Sequence, residues 1–347
     1  MKIIDLRSDT LTLPTQPMLA TILTAELGDD GRLDANGRGE DKTINKLEDM
    51  AAELTGKEAG LFCCSGTLGN QAALFTYCKP NDIVLVDELQ HLYGSEKTAF
   101  DSRFGQMQPL FYKFDADFMP DLTDLEDKLK NNTVGLLCLE NSHNFTGGTC
   151  VNLDRLAAIR KLADKYQVPI HMDGARLFNA AAYLQVPAKE ICKYVDSVMF
   201  CVSKGLGAPV GSLLCSTKSF IDKAKENRKL LGGALRQGGI AAAPAIYALE
   251  HNIERLAEDN ANAVLCASLL TNLKKIKVQA SVQTNIVMLD LAEAGITPVD
   301  FCAKAKELGL LIRPILKTSV RLVFYNAITA DDAAESASII KNLDNEL

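Results

Sequence analysis

Between residue 43 and about residue 235, short apolar runs alternate with stretches whose apolar residues recur every three to four positions. GLFCC (60–64) is followed by a helical pattern from about 68, and DIVLVD (82–87) by one running past His91. QPLFYKF (108–114) leads into a pattern bearing Leu122, Leu125 and Leu129, and VGLLCLE (134–140) into one from Leu153 to Tyr166. VPIHMD (168–173) and DSVMFCVS (196–203) come next, with GSLLCS (211–216) placed to pair alongside. Apolar runs this short and this continuous read as strands buried on both faces, and the longer period reads as helix. Thr43 stands where it can cap the first helix, whose Ile44, Leu47, Met50 and Leu54 share one face, and Gly56 can close it. The pattern predicts an α/β fold: a mostly parallel sheet flanked by helices.

Over 235–258 the helical pattern is longer and reads as a connector. Beyond it the order is helix, NIVMLDL (285–291), helix, LLIRP (310–314), SVRLVF (319–324) and a final helix, a smaller α+β C-terminal unit. The expected division is an N-terminal segment near the site (1–20), a large domain (21–245) and a small domain (246–347). One irregular stretch stands out, GDDGRLDANGRGED (28–41). Its Asp34-Ala35-Asn36-Gly37 carries part of a calcium loop's ligand spacing without the full set or the closing glutamate. It reads as a surface or active-site loop, and no metal is expected.

Composition narrows the function. With 47% apolar and 23% charged residues in 347, the chain can bury a large core. A net charge of −7 argues against a nucleic-acid partner, which calls for a basic stripe. No apolar run approaches the ~18 residues of a membrane span. MKIIDLRSDT lacks the apolar core of a signal peptide, and the ten cysteines form no CxxC pair. They read as reduced core thiols in a cytoplasmic protein.

In open parallel sheets ligands gather beyond the carboxyl ends of the strands, so the residues there are the candidates. Ser65-Gly66-Thr67 opens a helix after GLFCC; such a start can seat a phosphate, although serine and threonine also cap helices for structural reasons. Asp173 closes VPIHMD and needs a cation or several donors if buried; a protonated ring nitrogen, a salt bridge to Arg176 or a helix-cap role would each serve. His171, two residues earlier, could orient that carboxylate or be a satisfied core histidine. Lys204 follows DSVMFCVS and precedes glycines that let another body approach. It is either a snorkelling lysine or, desolvated, a Schiff-base nucleophile. A phosphate seat, a buried carboxylate and such a lysine, in that order, are what pyridoxal 5'-phosphate requires. Neither a Walker loop nor GxGxxG occurs, so a nicotinamide dinucleotide is not indicated. Of the four histidines, His91 after DIVLVD is placed to lie on a ring or shuttle a proton; His143 also follows a strand end, and His251 sits in a charged helical stretch. Arg321, among apolar neighbours, needs an anion and could pair with an α-carboxylate. Arg236, between glycines in GGALRQGG, could meet a phosphate or another subunit. For both, a surface or interface ion pair is the alternative.

Together IDLRSDT, ELTGKEAGLFCCSGTLGN, LENSHN, HMDGARLFNAA, SKGLGAPVGS, GGALRQGGIAAA and SVRLVF resemble the low-specificity L-threonine aldolase family of fold-type I pyridoxal-phosphate enzymes, over essentially the whole chain. The resemblance implies that Lys204 carries the cofactor as a Schiff base and that Asp173 pairs with the ring nitrogen. Ser65, Gly66 and Thr67 would hold the phosphate, with Arg236 assisting across a subunit boundary. Ser8, Arg176 and Arg321 would grip the substrate carboxylate, His91 would stack on the ring, and the base would be His91, a water it holds, or Glu96. The implied reaction is retro-aldol cleavage of a β-hydroxy-α-amino acid to glycine and an aldehyde, in a homodimer or homotetramer with sites at the subunit interface. The alternatives are β-elimination or transamination on the same cofactor, and a non-catalytic scaffold. The long arginine-bearing loop 28–41 resembles a branch acting on other β-hydroxy-α-amino acids, guanidino-bearing ones included. Residues 116–135 lack the second histidine of some members.

Overall fold

The computed structural model of the chain describes residues 2–35 and 37–347. The strand-like runs form one seven-stranded sheet, in the order Ala59–Cys63, Ser212–Ser216, Ser197–Cys201, Ile170–Asp173, Val134–Glu140, Ile83–Val86, Gln108–Phe111. All neighbours are parallel except Ser212–Ser216, which runs antiparallel to both of its own. The loop 202–211 explains the exception, being shorter than the dozen or so residues a parallel crossover needs. Every residue of Ser197–Cys201 and Ser212–Ser216 is buried, as strands covered on both faces must be.

Local physics decides the helix ends. The first long helix spans Lys42–Thr55, and its cap is Asp41, whose carboxylate accepts from Ile44 N at 3.0 Å. Thr43, the expected cap, lies inside the helix and donates its hydroxyl to Glu26 O at 2.9 Å. Asp41 wins because its side chain also accepts from Gly28 N and Gly239 N, three donors in all. Gly56 closes the helix at φ 66°. The expected connector is two helices, Gly239–His251 and Leu256–Leu269, so residue 245 falls within the first of them.

A second, antiparallel sheet has the order Arg313–Pro314, Ser319–Val323, Ile286–Asp290, Lys277–Val278, over a separate core that includes Leu289, Phe301, Leu322 and Ile340. The N-terminus is tied to this core: Ile4–Asp5 pairs in parallel with Leu310–Leu311, and Ile4 and Leu6 are buried there. That pairing sets the following residues, Ser8 to Thr10, against the carboxyl edge of the large sheet. Loop 28–41 is held within the chain. Asp30 is buried on Arg228, Arg38 pairs with Asp49 at 3.0 Å, and Arg32 lies 3.6 Å from Glu40. The calcium-like spacing includes Asn36, outside the described residues.

Candidate active site

The carboxyl ends of the parallel strands meet the second sheet around a cavity of about 410 Å³. Ser8, Ser65, Gly66, Thr67, His91 and Glu96 line it, as do Asp173, Arg176, Lys204 and Arg321. Arg236 does not: its side chain is 81% exposed and lies 3.7 Å from Asp29. No described residue of loop 28–41 lines it either. An apolar groove of about 900 Å³ beside Phe178 and Leu249 is larger, but no comparable set of charged groups converges there.

Lys204 stands three residues beyond the Ser197–Cys201 strand, half-buried, and makes no hydrogen bond or ion pair with its side chain among the described residues. Its loop is braced from behind. Arg255, paired with Asp259 at 2.7 Å, donates to Gly205 O at 3.1 Å, and Asn252 donates to Leu206 O at 2.7 Å. The nearby glycines serve packing rather than ligand approach. A Cβ on Gly205 would meet Leu256 at 2.8 Å, and Gly211, at φ 118°, lies against Phe62.

Asp173 is buried, and neither expected local arrangement holds: Arg176 turns away from it. Its donors are Asn70 Nδ2 and Ala175 N, each at 3.0 Å. Burial and the neighbouring Glu96 carboxylate push its pKa up. Glu96 is 2% exposed and accepts from Asn70 Nδ2 (3.0 Å) and Gln71 Nε2 (3.1 Å), with His91 Nδ1 at 3.1 Å. The helix expected past His91 is a single π-turn, Leu92–Glu96, which carries the chain round so that Glu96 meets the His91 ring. That contact, ahead of burial, raises the His91 pKa and directs Nδ1–H at the carboxylate. His91 N donates to Glu140 at 2.9 Å.

The arginines divide the work. Arg176 forms a bidentate pair with buried Asp9, at 2.6 and 2.8 Å. Burial alone would raise the Asp9 carboxyl, but Arg176 overrides it and holds the pKa at about 2. Arg321 is 4% exposed and has no carboxylate within ion-pair distance among the described residues; Nη1 donates to Asn144 Oδ1 at 2.6 Å and Nε has no partner. Burial first, then nearby Arg176 and Arg313, lower its pKa to about 10. A desolvated cation with an open donor calls for an anion.

Ser65 caps the Gly66–Tyr77 helix by accepting from Leu68 N at 3.1 Å, and helix geometry leaves Gly66 N–H and Thr67 N–H without intrahelical partners. His143 lies behind the site, 3.2 Å from Asp87 and 3.9 Å from Glu140. Burial opposes its charge, but the two acids raise its pKa to about 9. His251 is exposed, its ring 4.2 Å from that of Tyr247. Sequence reasoning missed Asp9, Asn70, Glu140, Asn144 and Arg313. Glu140 and Asn144 lie in the motif LENSHN, Asp9 in IDLRSDT and Asn70 at the end of ELTGKEAGLFCCSGTLGN, the signals that could have found them; that Asp9 meets Arg176 is decided across most of the large sheet's length of chain. The cavity thus holds an unpaired amine, an open helix N-terminus and a buried acid with a flat imidazole beside it. This donor set fits pyridoxal phosphate, with Lys204, Gly66–Thr67 and Asp173 as the residues to hold it.

A family model described as beta-eliminating lyase matches residues 5–294. The chain belongs to that family. Low-specificity L-threonine aldolase 1 of Arabidopsis thaliana is 36% identical over 96% of this chain and 94% of its own length. The low specificity L-threonine aldolase of Escherichia coli K12 is also 36% identical, over 96% and 97%. Among solved structures, Leishmania major threonine aldolase superposes with TM-score 0.80 at 16% identity, covering 98% of this chain and 99% of that one. A putative L-allo-threonine aldolase from Listeria monocytogenes gives 0.75 at 22%, covering 94% and 99%. At those identities the structures speak for the fold, an α/β architecture with a mostly parallel central sheet. Among the described residues, no helix is long and apolar enough to cross a membrane.

Proposed function

We propose that the chain is a pyridoxal-phosphate-dependent aldolase that cleaves the Cα–Cβ bond of L-threonine, L-allo-threonine or a related β-hydroxy-α-amino acid to glycine and an aldehyde. The observation that carries this is Arg321, a buried guanidinium without an anion, in one cavity with the unpartnered Lys204 and the buried Asp173. The relatives named L-threonine aldolase over nearly the full chain support the same reading.

Pyridoxal phosphate, when bound, supplies a conjugated ring that takes up the electron pair left at Cα. Lys204 Nζ would hold that group and, once displaced by the substrate amine, would be free to return a proton to Cα. Arg321, steered by Asn144, binds the substrate carboxylate through Nε and its free Nη hydrogens. Arg176, committed to Asp9, stiffens Asn144 from the other side, donating at 3.1 Å. Ser8 Oγ accepts from Thr10 N at 3.2 Å and keeps its own proton for the substrate. Asp173 would supply the negative charge for the ring nitrogen, a preorganised arrangement of the kind that supplies the largest catalytic contribution. His91, with Nδ1–H on Glu96, offers Nε2 to the β-hydroxyl proton; Glu96, held by three donors, is the orienting group rather than the base. Arg236, exposed and outside its own cavity, suits a neighbouring subunit's phosphate seat, in keeping with a cytoplasmic homodimer or homotetramer.

The family description favours β-elimination as the second reading. Incubation with threonine, allo-threonine and other β-hydroxy amino acids separates the two, since the aldolase releases glycine plus aldehyde and an eliminating lyase a keto acid plus ammonia. Lys204→Ala should leave no turnover, and borohydride reduction should attach the cofactor to Lys204. Label on another lysine, or keto acid as the sole product, would overturn the proposal.

A further inference from the structure

Asp173 and Glu96 are two buried carboxylates whose ligand atoms, together with one of His91, lie within 4.8 Å of one another. Like charges so close repel unless donors are fixed between them. The donor here is a single amide: Asn70 Nδ2 meets Asp173 Oδ2 and Glu96 Oε1, both at 3.0 Å. An amide can turn over, and turned over it would set its oxygen against both acids. Something must hold it.

Behind Asn70, a line of neutral groups runs between the Gly66–Tyr77 helix and the sheet. Asn70 Oδ1 lies 3.1 Å from His171 Nε2, His171 Nδ1 lies 2.8 Å from Ser197 Oγ, and Tyr77 OH lies 3.0 Å from Ser197 Oγ. Three elements supply it: the Gly66–Tyr77 helix with Asn70 and Tyr77, the Ile170–Asp173 strand, and the Ser197–Cys201 strand. The acids decide its polarity. Carboxylates offer no proton, so Asn70 must present its NH₂ group, which leaves its oxygen facing His171. His171 must then carry its proton on Nε2 and accept on Nδ1 from the Ser197 hydroxyl. Burial lowers the His171 pKa to about 3, so the ring stays neutral and no second proton arrives to disturb this order. Gln71 repeats the device: Ala99 N donates to its Oε1 at 2.8 Å, and its Nε2 therefore points at Glu96.

We propose that His171 is a positioning residue that fixes Asn70 in one orientation through an Nε2–H donor, and through Asn70 holds Asp173 and Glu96 side by side against the cofactor ring. His171 touches neither acid. The inference rests on the pyridoxal-phosphate reading for its consequence, but its geometry is testable without it.

The first measurement is ¹⁵N NMR of the wild-type imidazoles. The His171 signal should be the Nε2–H tautomer throughout the range in which the protein is folded; an Nδ1–H tautomer would overturn the proposal whether or not the cofactor reading stands. The second is the dissociation constant of pyridoxal phosphate, read from visible absorbance on diluting the holoenzyme. His171→Gln keeps a donor near the position of Nε2, whereas His171→Asn can reach only toward Ser197. Weakening a hydrogen bond to a charged group should raise the constant about tenfold or more in His171→Asn, and by less than about threefold in His171→Gln. Both substitutions bury an amide, so a merely structural role would affect them alike, and equal constants would refute the assignment. A wild-type protein that binds no pyridoxal phosphate would instead dispose of the cofactor reading and leave the tautomer to decide the relay.

Discussion

Replacing Asp9 with asparagine removes one charge of a pair that is fully buried on both sides, 0% and 4% exposed at the side chains. A carboxyl held at about 2 instead of 3.8 prefers its ionised form by about 2.5 kcal/mol. The substitution costs more than that, because Arg176 is left charged and buried, facing an amide whose oxygen it must share with Asn285 and keeping only the neutral Asn144 Oδ1 besides. Breaking one side of a buried pair costs about 3–5 kcal/mol, and that is the loss expected in urea unfolding at pH 7. Acid should close part of the gap. Because the folded-state pKa lies below the unfolded one, the stabilisation is complete above about pH 5 and is lost as pH falls through about 2. At pH 3 the wild type should have surrendered about 1 kcal/mol of its advantage over Asp9→Asn. A variant within 1 kcal/mol of wild type at pH 7, or a gap that stays constant down to pH 3, would refute this account of the N-terminal segment.

Arg321→Gln should raise KM for the amino acid by about tenfold to a hundredfold, through loss of charge-assisted hydrogen bonds. Since it also deletes an unpaired buried charge, its melting temperature should hold or rise; a large drop would mean that Arg321 is structural. Glu96→Gln should move the acid limb of kcat/KM to lower pH, because the contact that raises the His91 pKa is weakened while the base must be neutral to act. An unmoved limb would exclude His91 as the base. Glu48, buried and pushed from 4.5 to about 7 chiefly by desolvation, favours the fold only while protonated; its contribution is whole below pH 4.5 and lost as pH rises through 7. Glu48→Gln should therefore be more stable than wild type by about 3 kcal/mol at pH 8 and show no such gain at pH 4, as unfolding curves at the two pH values would reveal.

The strands and most of the helices were legible because they depend on local periodicity. VGLLCLE and the Leu153–Tyr166 helix appear with the same limits in both readings, since a run of apolar residues or a 3.6-residue stripe has only one way to be buried. The cap on the Lys42–Thr55 helix was misread for a complementary reason: Thr43 is a sound local cap, and Asp41 prevails through Gly239 N, a donor almost two hundred residues away. The glycines after Lys204 were misjudged in the same manner, their neighbours being Leu256 and Phe62 from elsewhere in the chain.

The site divides along that line. The candidates for chemistry followed from residue type, Lys204, Asp173 and His91 at or after strand ends and Arg321 within a strand, and all four line one cavity. Which of them are free to do it was decided only by the tertiary structure. Arg176 and Arg321 look alike along the chain, yet one is neutralised by Asp9 and the other has no anion. A charge's availability depends on what lies within a few ångströms of it, and that neighbourhood is set by the pairing of the N-terminus with Leu310–Leu311 beside the second sheet, to which no periodicity in the sequence points.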